Sequence, residues 1–150
     1  MLGSQGGFDT VYVSMYKYFN AAAGAILAGP RKMLENLYHT RRMFGGGMSQ
    51  AWPNAAVALH FADGFEERYR KAVTVTEELY RRLGDHVVRV GNGSNISYLK
   101  ADERVRRNLL KKGIKVGAPA KGRITLTVNE TAGRRTAEEL ESAFGEALRG

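Results

Sequence analysis

With 150 residues, 43% of them hydrophobic, the chain has the length for one cored domain, or for one domain and part of another. It has no cysteine, which excludes a disulfide framework and a cysteine-based zinc site, and its three histidines lack metal-ligand spacing, so no metal centre is expected. The formal charge of +8 raises nucleic acid as a partner, but Arg68, Arg70 and Lys71 sit beside Glu66 and Glu67, and Arg81 and Arg82 follow Glu77 and Glu78 at helix-pair spacing. The densest basic patch, Arg104, Arg106, Arg107, Lys111, Lys112 and Lys115, has no interleaved aromatics and ranks first as a solvated helix face, second as a surface for an acidic partner and a distant third as a nucleic-acid site. No apolar stretch approaches membrane-spanning length, so neither a nucleic-acid nor a membrane partner is expected.

In chain order, Met1 to Gly7 lacks a basic head with a long apolar run, so no secretory signal is read there and the cytoplasm is the default. Residues 9–15 alternate like a strand and deliver Lys17 at its end; residues 23–28 form a short apolar run read as a second strand. A lysine at the end of a buried strand is placed for Schiff-base chemistry with a carbonyl cofactor, because desolvation favours the free amine. The competing reading is a solvated loop lysine.

Pro30 stands where a helix begins, since its missing N–H costs nothing in the first turn. That helix runs to about Arg42, places Met33, Leu34, Leu37 and Tyr38 on one face, and ends at Gly45-Gly46-Gly47. Met33, Met43 and Met48 read as core filling. From Ala55 to Leu83 one continuous helical pattern follows, with Gly84 as its C-terminal cap.

Strands at 86–90 and 95–100 flank Gly91-Asn92-Gly93, a hairpin-turn signal. A helix at 102–112 stops at Gly113, strands are expected near 114–116 and at 123–128, and Thr136 with Glu139 is a capping-box pattern opening a last helix. Arg123 starts the late strand, with its side chain on the face opposite Ile124.

Taken together, Asp9 to Gly29 and then Arg41-Arg42-Met-Phe-Gly-Gly-Gly-Met-Ser-Gln-Ala51 resemble the lysine segment of the threonine aldolase and β-eliminating lyase family. That family's pattern is D-[ST]-V-x-V-x-x-x-K, a small-residue strand ending in glycine, a helix, and [RK]-x-x-G-G-G-M-x-Q-A; every spacing is kept. The resemblance implies an α/β chain of the aspartate-aminotransferase type, and pyridoxal 5'-phosphate as cofactor. A complete enzyme of this kind is more than twice as long, so the chain resembles its C-terminal portion. Residues 1–60 would be the tail of the cofactor-binding large domain, 61–84 a connecting long helix, and 85–150 a small α/β domain.

The same resemblance implies roles for three residues. Lys17 would be the catalytic, cofactor-holding lysine. Arg42 would reach the cofactor phosphate of a neighbouring subunit, and Arg123 would pair with the substrate α-carboxylate. The partner implied is a small amino acid, and the complete protein a homo-oligomer. Two departures stand out: Ser49 replaces the arginine of G-G-G-M-R-Q, and Tyr16-Lys-Tyr-Phe-Asn20 replaces S-K-G-L-G, which implies a reshaped pocket. The expected activity is lysis of an amino acid. An aminotransferase of the same fold and a non-catalytic module are the alternatives.

Overall fold

A computed structural model describes residues 8–91 and 94–150. The opening segment read as no signal, and the pair Asn92-Gly93 read as a hairpin turn, lie outside the described residues. The chain divides into two compact units, the first ending at Phe65 and the second spanning Glu66–Gly150.

In the first unit, β1 (Val11–Ser14) pairs antiparallel with β2 (Ala25–Ala28), Val11 opposite Ala28 and Ser14 opposite Ala25. The expected strand therefore stops three residues before Lys17, and a single helical turn, α1 (Met15–Tyr18), takes over. Pro30 precedes α2 (Arg31–Leu34) with φ −59°, as its ring geometry favours. The helix expected to run on to Arg42 is interrupted: Asn36 takes φ −104° and ψ 3°, and a separate helix α3 (Leu37–Met43) follows. Asparagine disfavours helix interiors because its short amide competes for the backbone.

The long helical pattern from 55 to 83 is also two helices, α4 (Trp52–Ala62) and α5 (Phe65–Leu83). Asp63 leaves helical geometry with ψ 125°, and Gly64 adopts φ +63°, a left-handed conformation that glycine enters without a Cβ penalty. The apolar periodicity runs across Asp63-Gly64, so it hides a break that this dipeptide announces.

In the second unit, β3 (Val87–Arg89), β4 (Ile96–Lys100) and β5 (Arg123–Thr127) form an antiparallel sheet in the order β3-β4-β5. Helix α6 (Glu103–Lys111) is capped by Asp102, whose carboxylate accepts from the Val105 N–H at 3.0 Å. Helix α7 (Ala137–Arg149) opens on the expected capping box: Thr136 and Glu139 each accept the other's backbone N–H. Alternation along β5 turns Ile124 and Leu126 inward, where they meet Leu99, Leu109, Leu79 and Phe144 in one apolar core. Leu99, Leu109 and Ile124 are fully buried.

The strand expected at 114–116 does not form. Ile114 donates its N–H to the Leu109 carbonyl at 2.9 Å, closing the end of α6, and Ala120 exchanges backbone hydrogen bonds with Arg123 at 2.8 and 3.1 Å. Both ends of the segment are thus tied off. Ile114 and Val116 contribute apolar surface to the core instead of ladder hydrogen bonds.

Ion pairs join α5 to α7. Arg82 of α5 contacts Glu78 on its own helix and Glu138 and Glu141 on α7. Arg81 and Arg82 donate to Glu78 and hold its carboxyl down to about 2 from the usual 4.5. A carboxylate whose folded pKa lies below its unfolded value stabilises the fold fully above pH 4.5 and progressively less as pH falls toward 2. The thermal midpoint of wild type should therefore exceed that of Glu78→Gln at pH 6, with the gap closing between pH 4.5 and about 2. A gap that persists unchanged at the acid end would assign the difference to packing.

Candidate functional site

The loop bearing Lys17 is built by the β1–β2 hairpin. Met15 donates its N–H to the Gly24 carbonyl at 3.1 Å, and Phe19 donates to Met15 at 2.8 Å, which closes the single turn of α1. The Phe19 and Tyr18 rings meet the Phe65 ring edge-on at 5.1 and 6.1 Å. Past the turn, Asn20 takes φ +53°, the conformation a glycine would adopt most readily. It stands where the resembled pattern S-K-G-L-G has its last glycine.

A residue that sequence reasoning missed pins the loop. Asn54, in the first turn of α4, accepts the Ala23 N–H at 3.2 Å through Oδ1 while its Nδ2 donates to Met48 Sδ at 3.4 Å. Only tertiary contact reveals it, since an asparagine after Trp-Pro carries no motif. Ser14 is the second such residue: it is buried, three positions before Lys17, and among the described residues its hydroxyl has no hydrogen-bond partner. A buried hydroxyl without a partner is costly to keep.

Lys17 itself is exposed, with its ammonium 5.7 Å over the Tyr16 ring. The buried setting expected for it is absent from this unit. The reason is that β2 is exposed throughout and Tyr12 of β1 is 68% exposed, so among the described residues of this unit no second layer covers the hairpin. For the same reason Met33, Met43 and Met48 are not core filling here; Met43 is 82% exposed.

Arg42 lies in the last turn of α3, as the sequence suggested. Its guanidinium sits 5.6 Å over the Tyr38 ring and Nη1 donates to Tyr38 Oη at 2.9 Å; Arg41 lies over the same ring at 5.5 Å. Both cations also gain from the negative helix end. The glycine triplet stops α3. A Cβ on Gly46 would come within 2.6 Å of Arg41 Cγ and 2.8 Å of its carbonyl oxygen, so this glycine is required by backbone approach. Lys17 and Arg42 share the first unit but touch different residues.

Arg123, in the second unit, opens β5 opposite Lys100, and its exposed side chain alternates with fully buried Ile124 as expected. The basic patch of α6 is engaged largely within its own unit. Arg106 pairs with Glu103, Lys112 with Glu146, and Arg104 donates to the Leu148 carbonyl at 3.2 Å.

No family model matches the chain. Among curated proteins, it is 25% identical to the low-specificity L-threonine aldolase of Eremothecium gossypii over 120 residues, which is 77% of this chain and 31% of that protein. It is 34% identical to the low-specificity L-threonine aldolase of Candida albicans over 56 residues, 37% of this chain and 15% of that one. Among solved structures, a Listeria monocytogenes protein described as an L-allo-threonine aldolase superposes with a TM-score of 0.62 at 21% identity, covering 94% of this chain and 44% of that one.

The fold is that of the threonine aldolases. An Exiguobacterium structure described as an aromatic amino acid β-eliminating lyase/threonine aldolase agrees, with a TM-score of 0.62 at 19% identity over 95% of this chain and 45% of its own. The resemblance read from the lysine segment thus extends to curated threonine aldolases and to a threonine-aldolase fold, of the aspartate-aminotransferase type. The chain spans about a third of the first curated relative's length and under half of each structural one. No helix among the described residues is long and apolar enough to cross a membrane.

Proposed function

We propose that this chain is the lysine-bearing C-terminal portion of a pyridoxal-phosphate-dependent lyase that acts on an amino acid, of the threonine-aldolase or β-eliminating type. The observation that carries the reading is the lysine segment. Its spacing keeps the family pattern, within a chain 25% identical over 120 residues to a threonine aldolase. The residues present fit the cofactor's tether. Lys17 offers an exposed primary amine that is in no ion pair among the described residues, and Ser14 keeps an unpartnered hydroxyl one turn away.

In the complete protein Lys17 would hold the cofactor and then move the proton at the substrate Cα. Pyridoxal phosphate, when bound, supplies an electron sink for the charge left at Cα. Arg42 would offer its guanidinium to the phosphate, and Arg123 its planar fork to the substrate carboxylate, which sets which bond is aligned for cleavage. Product analysis of the complete protein with threonine tests the class: acetaldehyde plus glycine is expected for an aldolase, and a keto acid plus ammonia for elimination. A keto acid with aminated cofactor would move the protein to the aminotransferases and overturn the lyase reading.

Arg123→Ala should raise the KM for the amino acid by roughly 10- to 100-fold, the scale of one lost charge-assisted pair, with cofactor affinity unchanged. Parallel loss of cofactor affinity would make Arg123 structural. For the 150-residue chain by itself, the exposure of Tyr12, Ile26, Met43, Phe44, Trp52 and Leu59 favours a second reading, a piece without activity until its apolar surface is covered. Its stable monodispersity in solution would count against that.

A further inference from the structure

In the second unit a cleft of about 560 Å³ runs along β5, and its lining contains a free strand edge. The sheet order β3-β4-β5 leaves one side of β5 without a partner strand among the described residues. Hydrogen-bond polarity identifies which residues face that side. The Gly122 carbonyl accepts from Ala101 and the Val128 N–H donates to Asn95, both toward β4, while Arg123 N–H and C=O bond outward to Ala120. Because ladder bonds alternate residue by residue, Thr125 and Thr127 share the polarity of Arg123. Their N–H and C=O groups point away from β4, at the cleft they line.

The opposite wall is the segment 114–117, whose residues 114–116 the sequence expects to be a strand and whose flanks are tied at Leu109 and at Arg123. Leu79, Leu140 and Phe144 supply an apolar floor, and Lys115, Arg134 and Arg135 supply positive charge; among the described lining residues there is no Asp or Glu. Arg135 donates to the Lys112 carbonyl at 3.2 Å, whereas Lys115 and Arg134 are exposed and in no ion pair among the described residues. The nearby Glu130 is paired with Arg68.

We propose that this cleft binds an extended acidic peptide segment, which adds to β5 as a fourth strand. Two outward residues spaced by two match the repeat of an extended chain, so main-chain bonds to Thr125 and Thr127 provide the register. Alternate side chains of the guest then face the apolar floor, and carboxylates on the guest meet Lys115 and Arg134 at the rim. The inference stands on the second unit alone and does not depend on the lyase reading.

The test is fluorescence anisotropy with a labelled hexapeptide of alternating valine and glutamate, titrated with the 150-residue chain. Saturable binding is expected. Lys115→Glu with Arg134→Glu, both surface changes, should weaken it roughly tenfold or more. N-methylation of alternate peptide bonds, which removes strand donors while keeping charge, should abolish binding in one of its two registers. Thr125→Pro, which deletes an outward N–H that β4 does not use, should weaken it as well. No saturation, equal binding of a lysine-for-glutamate peptide, or indifference to N-methylation in both registers would overturn the proposal. Charge dependence without any backbone dependence would reduce the cleft to a nonspecific cationic surface and overturn it equally.

Discussion

In the complete protein, Lys17→Ala should leave no pyridoxal phosphate fixed to the chain by borohydride and should lower turnover by at least about 10²–10⁴-fold, the range of a positioned acid–base group. The expectation rests on chemistry that no other residue of this loop can supply. Tyr16 and Tyr18 flank the position but have no amine, and Arg31 and Lys32 lie beyond β2 in α2. Lys17→Arg is the sharper control, because it keeps the charge over the Tyr16 ring while removing the primary amine. Both variants should fold like wild type, since Lys17 is exposed and α1 is closed by backbone bonds from Phe19 to Met15 and from Met15 to Gly24. Mass spectrometry of the reduced, digested protein reads the outcome directly. Cofactor retained on another lysine in Lys17→Arg would remove Lys17 from the site while leaving the family resemblance in place.

Leu109→Ala should destabilise the second unit by about 2–5 kcal/mol, the cost of deleting a buried leucine and leaving a cavity. Leu109 is fully buried on α6 against the sheet, and its carbonyl also anchors Ile114. Alanine is as good a helix former as leucine, so lost propensity cannot account for the effect. The neighbouring Leu110 is 38% exposed, and Leu110→Ala should cost much less. Urea denaturation followed by far-ultraviolet circular dichroism measures both. Because domains of this kind are stable by only about 5–15 kcal/mol, the Leu109 variant should show a clearly lowered midpoint at an unchanged slope. Equal effects at the two leucines would contradict the packing described for α6.

How far the sequence alone reached differed between the units. In the second, local signals agreed with one another: strands were expected on either side of Gly91 and at 123–128, the Thr136 and Glu139 capping box began α7, and Gly113 ended α6. The exception, residues 114–116, alternates like a strand but finds no ladder, because the hydrogen bonds at Leu109 and Ala120 decide where its backbone goes. In the first unit, periodicity overran two breaks, at Asn36 and at Asp63-Gly64, since apolar spacing reports the face of a helix and not the continuity of its backbone.

The candidate site was legible only where covalent spacing carries the chemistry. Lys17 and the glycine triplet keep the spacing of the resembled pattern, and Arg123 opens a late strand where the resemblance implies a carboxylate partner; both are properties of sequence. Asn54 and Ser14 were not legible, because an asparagine earns its role only when another loop comes within 3.2 Å, and a serine only when burial removes its water.

By itself the sequence determined the strand and helix order of the second unit, the lysine segment and its family resemblance, because propensity, capping and motif spacing act within a few residues. The tertiary structure alone decided that residues 114–116 join no ladder, that Lys17 stands on an exposed turn, and that β5 keeps a free edge. Those are outcomes of which surfaces and which backbone groups find partners, and partners far apart in the chain leave no local trace.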